Sequence, residues 1–77
     1  MNTQSALDVR TTAISANLAA LHRLLTRAMT MTAEGCERIH QGERNGAIGA
    51  VLNIDAILDE AKAIYAATLA LHRSKSI

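Results

Sequence analysis

The sequence predicts an all-α protein, an antiparallel helical hairpin of two long helices that dimerises into a four-helix bundle. Three observations lead there. The chain has 77 residues and no proline, and it is rich in alanine and leucine; proline costs about 3 kcal/mol inside a helix while alanine costs least. Its apolar residues recur at spacings of three and four, the signature of a helix with one buried stripe. Near the midpoint the stretch Gln41-Gly42-Glu43-Arg44-Asn45-Gly46 breaks that periodicity. A single domain spanning 1–77 follows, with a helix over about 5–40, a turn over about 41–45, a helix over about 46–73 and a short basic tail.

The first helix opens at Ser5-Ala6-Leu7-Asp8, a capping box in which a serine oxygen accepts a free backbone N–H and an acid three residues on reaches back. Two columns then repeat every seven residues: Leu7, Ile14, Leu21, Ala28 and Gly35, and Thr11, Leu18, Leu25, Thr32 and Ile39. Together they read as a heptad seam. Its later members are small, and Ala28, Thr32 and Gly35 let a partner backbone come close near the hairpin end. Met29 to Gly35 is the weakest helical part, because β-branched threonines and a glycine cost helix stability. An alternative turn therefore lies at Gly35. Continuity to His40 is preferred, since Cys36 and Ile39 keep the phase, Gly42 stands where a C-terminal glycine cap belongs, and Asn45-Gly46 supplies a turn or cap for the next helix.

The second helix carries a broad stripe of three neighbouring columns: Val51, Leu58, Tyr65 and His72; Ala47, Ile54, Ala61 and Thr68; Ala50, Ile57, Ile64 and Leu71. A hairpin covers one or two of them. The third asks for another surface, and a second copy of the chain is the economical answer. Val51, Ile54, Ile57, Leu58, Ile64, Tyr65 and Leu71 are the expected oligomer interface. Asn53 and Asp55 suit the start of a shorter final helix, so a kink near Asn53 is the variant of this reading. The tail from Arg73 ends the helix with cations, which favours the negative end of its dipole. One echo, Ala-Leu-His-Arg at residues 20–23 and 70–73, sits differently on the two stripes, and nothing is built on it.

A chain this small seldom stabilises itself without disulfides, a metal or a partner, and one cysteine, Cys36, makes no internal disulfide. Oligomerisation is the support that remains. His22, Met29, Cys36 and His40 form a series of soft ligands, yet seven residues of helix separate successive members by about 10 Å, too far to share one ion. Only Cys36 and His40 stand a turn apart, so no metal and no cofactor are expected. Asp55, Asp59 and Glu60 read as a solvated acidic face, and Tyr65 with His72 as structural groups. Gly46 and Gly49 lack the strand and lysine of a phosphate loop, and no nucleophile or metalloprotease motif occurs. Catalytic residues and a small-molecule substrate are not expected, and the protein is read as no enzyme.

Net charge is +1, low for a dedicated nucleic-acid binder. Arg10, Arg23 and Arg27 nonetheless make the first helix basic, while Asp55, Asp59 and Glu60 make the second acidic. These arginines are the candidate partner-binding residues, used first for pairing between subunits, next for an acidic protein surface and last for nucleic acid. No run approaches the roughly 18 apolar residues of a membrane span, and the polar start lacks a secretory signal, so a cytoplasmic location is expected. In architecture the chain is similar to plasmid copy-control helical hairpins, which dimerise and bind paired RNA loops; no motif carries the likeness. The function expected is a small regulatory protein-interaction module of bacterial or phage type, an adaptor, inhibitor or regulatory subunit acting as a homodimer. The alternative is a nucleic-acid-binding hairpin dimer that uses the arginines of the first helix.

Overall fold

Alanine-rich, proline-free sequence on either side of a glycine gives three helices: α1 (Thr3–His40), α2 (Arg44–Val51) and α3 (Ile54–Arg73). The computed structural model describes the backbone of residues 3–74 and the side chains of residues 9–74. The Ser5–Asp8 capping-box side chains, Leu7 of the seam and the last three residues of the tail lie outside those described; the helix itself starts at Thr3, two residues before the expected position. α1 packs along both α2 and α3, so the chain is a hairpin whose second arm is bent.

The turn is made by the one glycine with a left-handed backbone, Gly42 at φ 77. The Glu43 N–H reaches back to the Arg38 carbonyl at 2.9 Å and the Gly42 N–H to the Ile39 carbonyl at 3.0 Å. Those two bonds form a Schellman cap, which satisfies carbonyls that a helix end leaves open and needs a residue free of a Cβ at its left-handed position. Arg38 reinforces the same corner, with Nε 3.2 Å from Glu34 Oε2 and Nη1 3.3 Å from Glu43 Oε1. Both pairs are exposed, so each contributes about 0.2–1 kcal/mol. The chain turns after His40, and Gly35 stays helical.

The single second helix expected over about 46–73 is two helices, and the bend between α2 and α3 falls at Leu52-Asn53, where the variant reading put a kink. The Leu52 N–H bonds to the Gly49 carbonyl three residues back at 3.4 Å, tightening the last turn. Asn53, at φ −98 and ψ 11, leaves helical geometry without capping α3 through its side chain. The Ile57 N–H to the Asn53 carbonyl at 3.3 Å restarts the ladder. Ala47, Ile54 and Ala61 keep one column across the break, so the arm bends without losing its buried side.

Leu24, Ile57 and Ala61 are the centre of the core, with Leu21, Ala28, Met31 and Ile64 packed around them. Near the turn Gly35 lets α2 approach: a Cβ there would lie 3.3 Å from Val51 Cγ1 and 3.4 Å from the Ala47 carbonyl. On α1 the Ile14–Leu21–Ala28–Gly35 column faces inward, as the heptad reading has it. Its companion differs. Leu24 is 7% exposed and Leu25 47%, and the inward column is Arg10, Asn17, Leu24, Met31 and Arg38 while Leu18, Leu25 and Ile39 stay outside. Leucines stand on both sides of the shared column, so the spacing alone fits either choice. Polar Arg10, Asn17 and Arg38 disguise the true one, since long side chains bury their stems and keep their heads in water.

The hairpin is one layer of helices deep, 61 × 15 × 11 Å with a radius of gyration of 18.0 Å. A globular chain of this length would have a radius near 11–12 Å. Among the described residues no side chain is completely buried.

Candidate functional site

Seven-residue columns place the described positions of the two arms on the inner seam, on one of two broad faces or on the outermost edge of each helix. In an antiparallel pair, residues one step round from the seam in the same rotational sense come together on one side of the hairpin. On α1 those flanking columns are Thr11, Leu18, Leu25, Thr32 and Ile39, then Ser15, His22, Met29 and Cys36. On the second arm they are Arg44, Val51, Leu58, Tyr65 and His72, then Ile48, Asp55, Lys62 and Leu69. One continuous face results.

Leu18, Leu25, Met29, Ile39, Ile48, Leu58 and Tyr65 all lie on it and are all exposed; of the large apolar side chains exposed among the described residues, only Val9 and Leu52 point elsewhere. The α1 half of the face has no Asp, Glu, Lys or Arg between residues 11 and 39, and the second arm has Arg44 at the start of α2 and Asp55 and Lys62 on α3. Surface apolar residues scattered singly need no explanation, whereas a contiguous patch marks an interaction site.

The opposite side sets charged residues among alanines. Ala20, Arg23, Leu24 and Arg27 of α1 and Glu60 and Ile64 of α3 line an open groove of about 270 Å³. Arg23 and Arg27 stand one turn apart on its rim with Glu60 across from them, and none of the three makes an ion pair among the described residues, where the ion pairs are those of Arg38 with Glu34 and Glu43. The expected trio of arginines is therefore split. Arg10 is half-buried on the inner seam, roughly 20 Å further along α1 at 1.5 Å per residue.

The seven residues expected at the oligomer interface divide similarly. Ile57 is buried and Ile54, Ile64 and Leu71 are half-buried against α1, and Val51 sits over Gly35. Leu58 and Tyr65 alone are exposed on the apolar face. The column left over by the hairpin is thus the Leu58–Tyr65 one, in place of the Ile57–Ile64–Leu71 column. Leu18, Leu25, Met29, Ile39 and Ile48 complete the face and were not among the expected interface residues. Their signal was present in the sequence as two adjoining columns of α1 with no charge between residues 11 and 39.

His40 Nδ1 lies 2.9 Å from the Cys36 carbonyl oxygen, so its ring is engaged with the last turn of α1. Cys36 is exposed on the edge of the apolar face. Among the described residues no three His, Cys, Asp or Glu side chains cluster as metal ligands, and no helix is long and apolar enough to cross a membrane. Comparison with protein-family models, curated proteins and solved structures finds no match for this chain.

Proposed function

We propose that this protein is a small non-enzymatic interaction module that acts as a homodimer, two hairpins joining through their apolar faces into a four-helix bundle. The observation that carries the reading is the convergence of the exposed apolar residues of both arms on one nearly uncharged face. Area supports it as well. The chain exposes 5921 Å², against about 4,500 Å² for a compact monomer of its mass. The difference, about 1,400 Å², exceeds the roughly 800 Å² that each partner contributes to a standard interface.

In such a bundle each helix meets two neighbours about a quarter turn apart, and the inner seam and the flanking columns are separated by that angle. Pairing leaves the charged groove with Arg23, Arg27 and Glu60 on the outside. That groove is where an adaptor, inhibitor or regulatory subunit would meet another protein, through a surface carrying both signs of charge. Sedimentation equilibrium from 1 to 100 µM tests the first step. A dimer is expected; a folded monomer throughout would sink the reading.

A second reading, nucleic-acid binding through Arg23 and Arg27, is favoured by their convergence on one rim and opposed by Glu60 in the same groove. Shift assays with duplex DNA and structured RNA at two salt concentrations separate the two. Binding that weakens steeply with salt and disappears in the Arg23→Ala, Arg27→Ala double variant favours nucleic acid.

A further inference from the structure

Resting on the homodimer reading, we propose that the two hairpins pack with their turns at opposite ends, α1 on α1 and α3 on α3, so that Asp55 of each copy lies beside the partner's Lys62. Two arrangements bring apolar faces together with two-fold symmetry. In one the axis runs along the rod, the turns share an end, and each α1 covers the partner's α3. In the other the axis crosses the rod, the turns lie at opposite ends, and like helices pack on like.

Charge distinguishes them. Within α3, Asp55 and Lys62 are the only Asp, Glu, Lys or Arg residues on the apolar face; among the described residues the face's other charge is Arg44, at the turn end of α2. Neither Asp55 nor Lys62 makes an ion pair among the described residues. Seven residues of helix hold them about 10 Å apart, beyond reach of one another in one copy. If α3 covered the partner's α1, both charges would lie against columns that carry none, and each would lose water without gaining a partner. An axis across the rod, midway between Asp55 and Lys62, instead brings each to the level of its opposite in the second copy, forming two reciprocal pairs.

The same axis suits α1. Gly35 lies against Ala47 and Val51, and Leu24 clusters with Ile57 and Ala61, a register that puts Leu25 level with the midpoint of Asp55 and Lys62. Leu25 then meets its own copy at the centre of the bundle, flanked by Leu18 and Met29. Asp55 also serves its own helix, accepting the Ala56 N–H at 2.9 Å in the first turn of α3. A variant there therefore changes more than the pair, and coupling between the two positions is the informative quantity.

The test combines a charge swap with a distance. Asp55→Lys and Lys62→Asp should each weaken the dimer about tenfold, and the double swap should recover most of the loss. Because the two groups cannot meet within a chain, recovery reports a contact between copies. Nitroxide labels on Arg73→Cys in a Cys36→Ser background should stand about 43 Å apart, roughly 29 residues of helix. A double swap no tighter than the single variants, or labels within about 20 Å in a chain that still dimerises, overturns the orientation and leaves the dimer standing. A chain that is monomeric at all concentrations removes both. Circular dichroism confirms that each variant remains helical.

Discussion

The same replacement, glycine to alanine, should have opposite effects at Gly42 and Gly49. Gly42 has φ 77 and caps α1, so a Cβ there forces a left-handed backbone and should cost about 1 kcal/mol. Gly49 lies inside α2 with open space where a Cβ would point, so alanine should stabilise by about 0.5–1 kcal/mol. Urea midpoints of the two variants at one protein concentration would show the opposite signs. Gly35 is a third case, because its missing side chain is the contact. Leucine at that position must push Val51 and the Ala47 carbonyl away and should lose about 1–3 kcal/mol, read in the same titration.

Neighbouring residues on one helix turn to different surfaces, one against the other arm and one outward, and this governs the elements. Ile57 is 5% exposed and Leu58 47%. Ile57→Ala should cost about 2–5 kcal/mol of hairpin stability, since it opens a cavity in a core with few members. Leu58→Glu should leave the helical signal of a dilute sample intact and shift the sedimentation of a concentrated one towards monomer. If Leu58→Glu unfolded the hairpin and Ile57→Ala affected only association, the assignment of inner and outer columns would be reversed. On α1 the corresponding pair is Leu24 and Leu25, adjacent leucines with the same division of labour.

At the scale of the molecule, a rod 61 Å long and 11 Å thick has a small interior, and the proposed dimer would add to it. Association that stabilises the folded state by mass action makes the melting temperature depend on concentration. Raising the protein a hundredfold should lift the melting temperature by several degrees, and a melt independent of concentration would argue that the hairpin stands alone. Arg23→Ala with Arg27→Ala should leave this shift unchanged, because the groove lies opposite the apolar face. The charged side is thereby separable from assembly by experiment.

The sequence by itself determined the helices, the turn near Gly42 and the existence of an uncovered apolar stripe, and it offered the kink near Asn53 as a variant. These are local matters: proline and glycine placement, one left-handed residue and the sevenfold recurrence of Ile14, Leu21, Ala28 and Gly35. Tertiary structure decided which of two overlapping columns turned inward on each arm, Leu24 over Leu25 and Ile57 with Ile64 over Leu58 with Tyr65. It also put Arg23 and Arg27 opposite Glu60 and left Arg10 apart. Periodicity gives the direction of each stripe only to within a step round the helix, because columns on both sides of the shared one are apolar. The angle at which the helices approach selects one, and Gly35, Ala47 and Ala61 set that angle by allowing the backbones closest where the side chains are smallest.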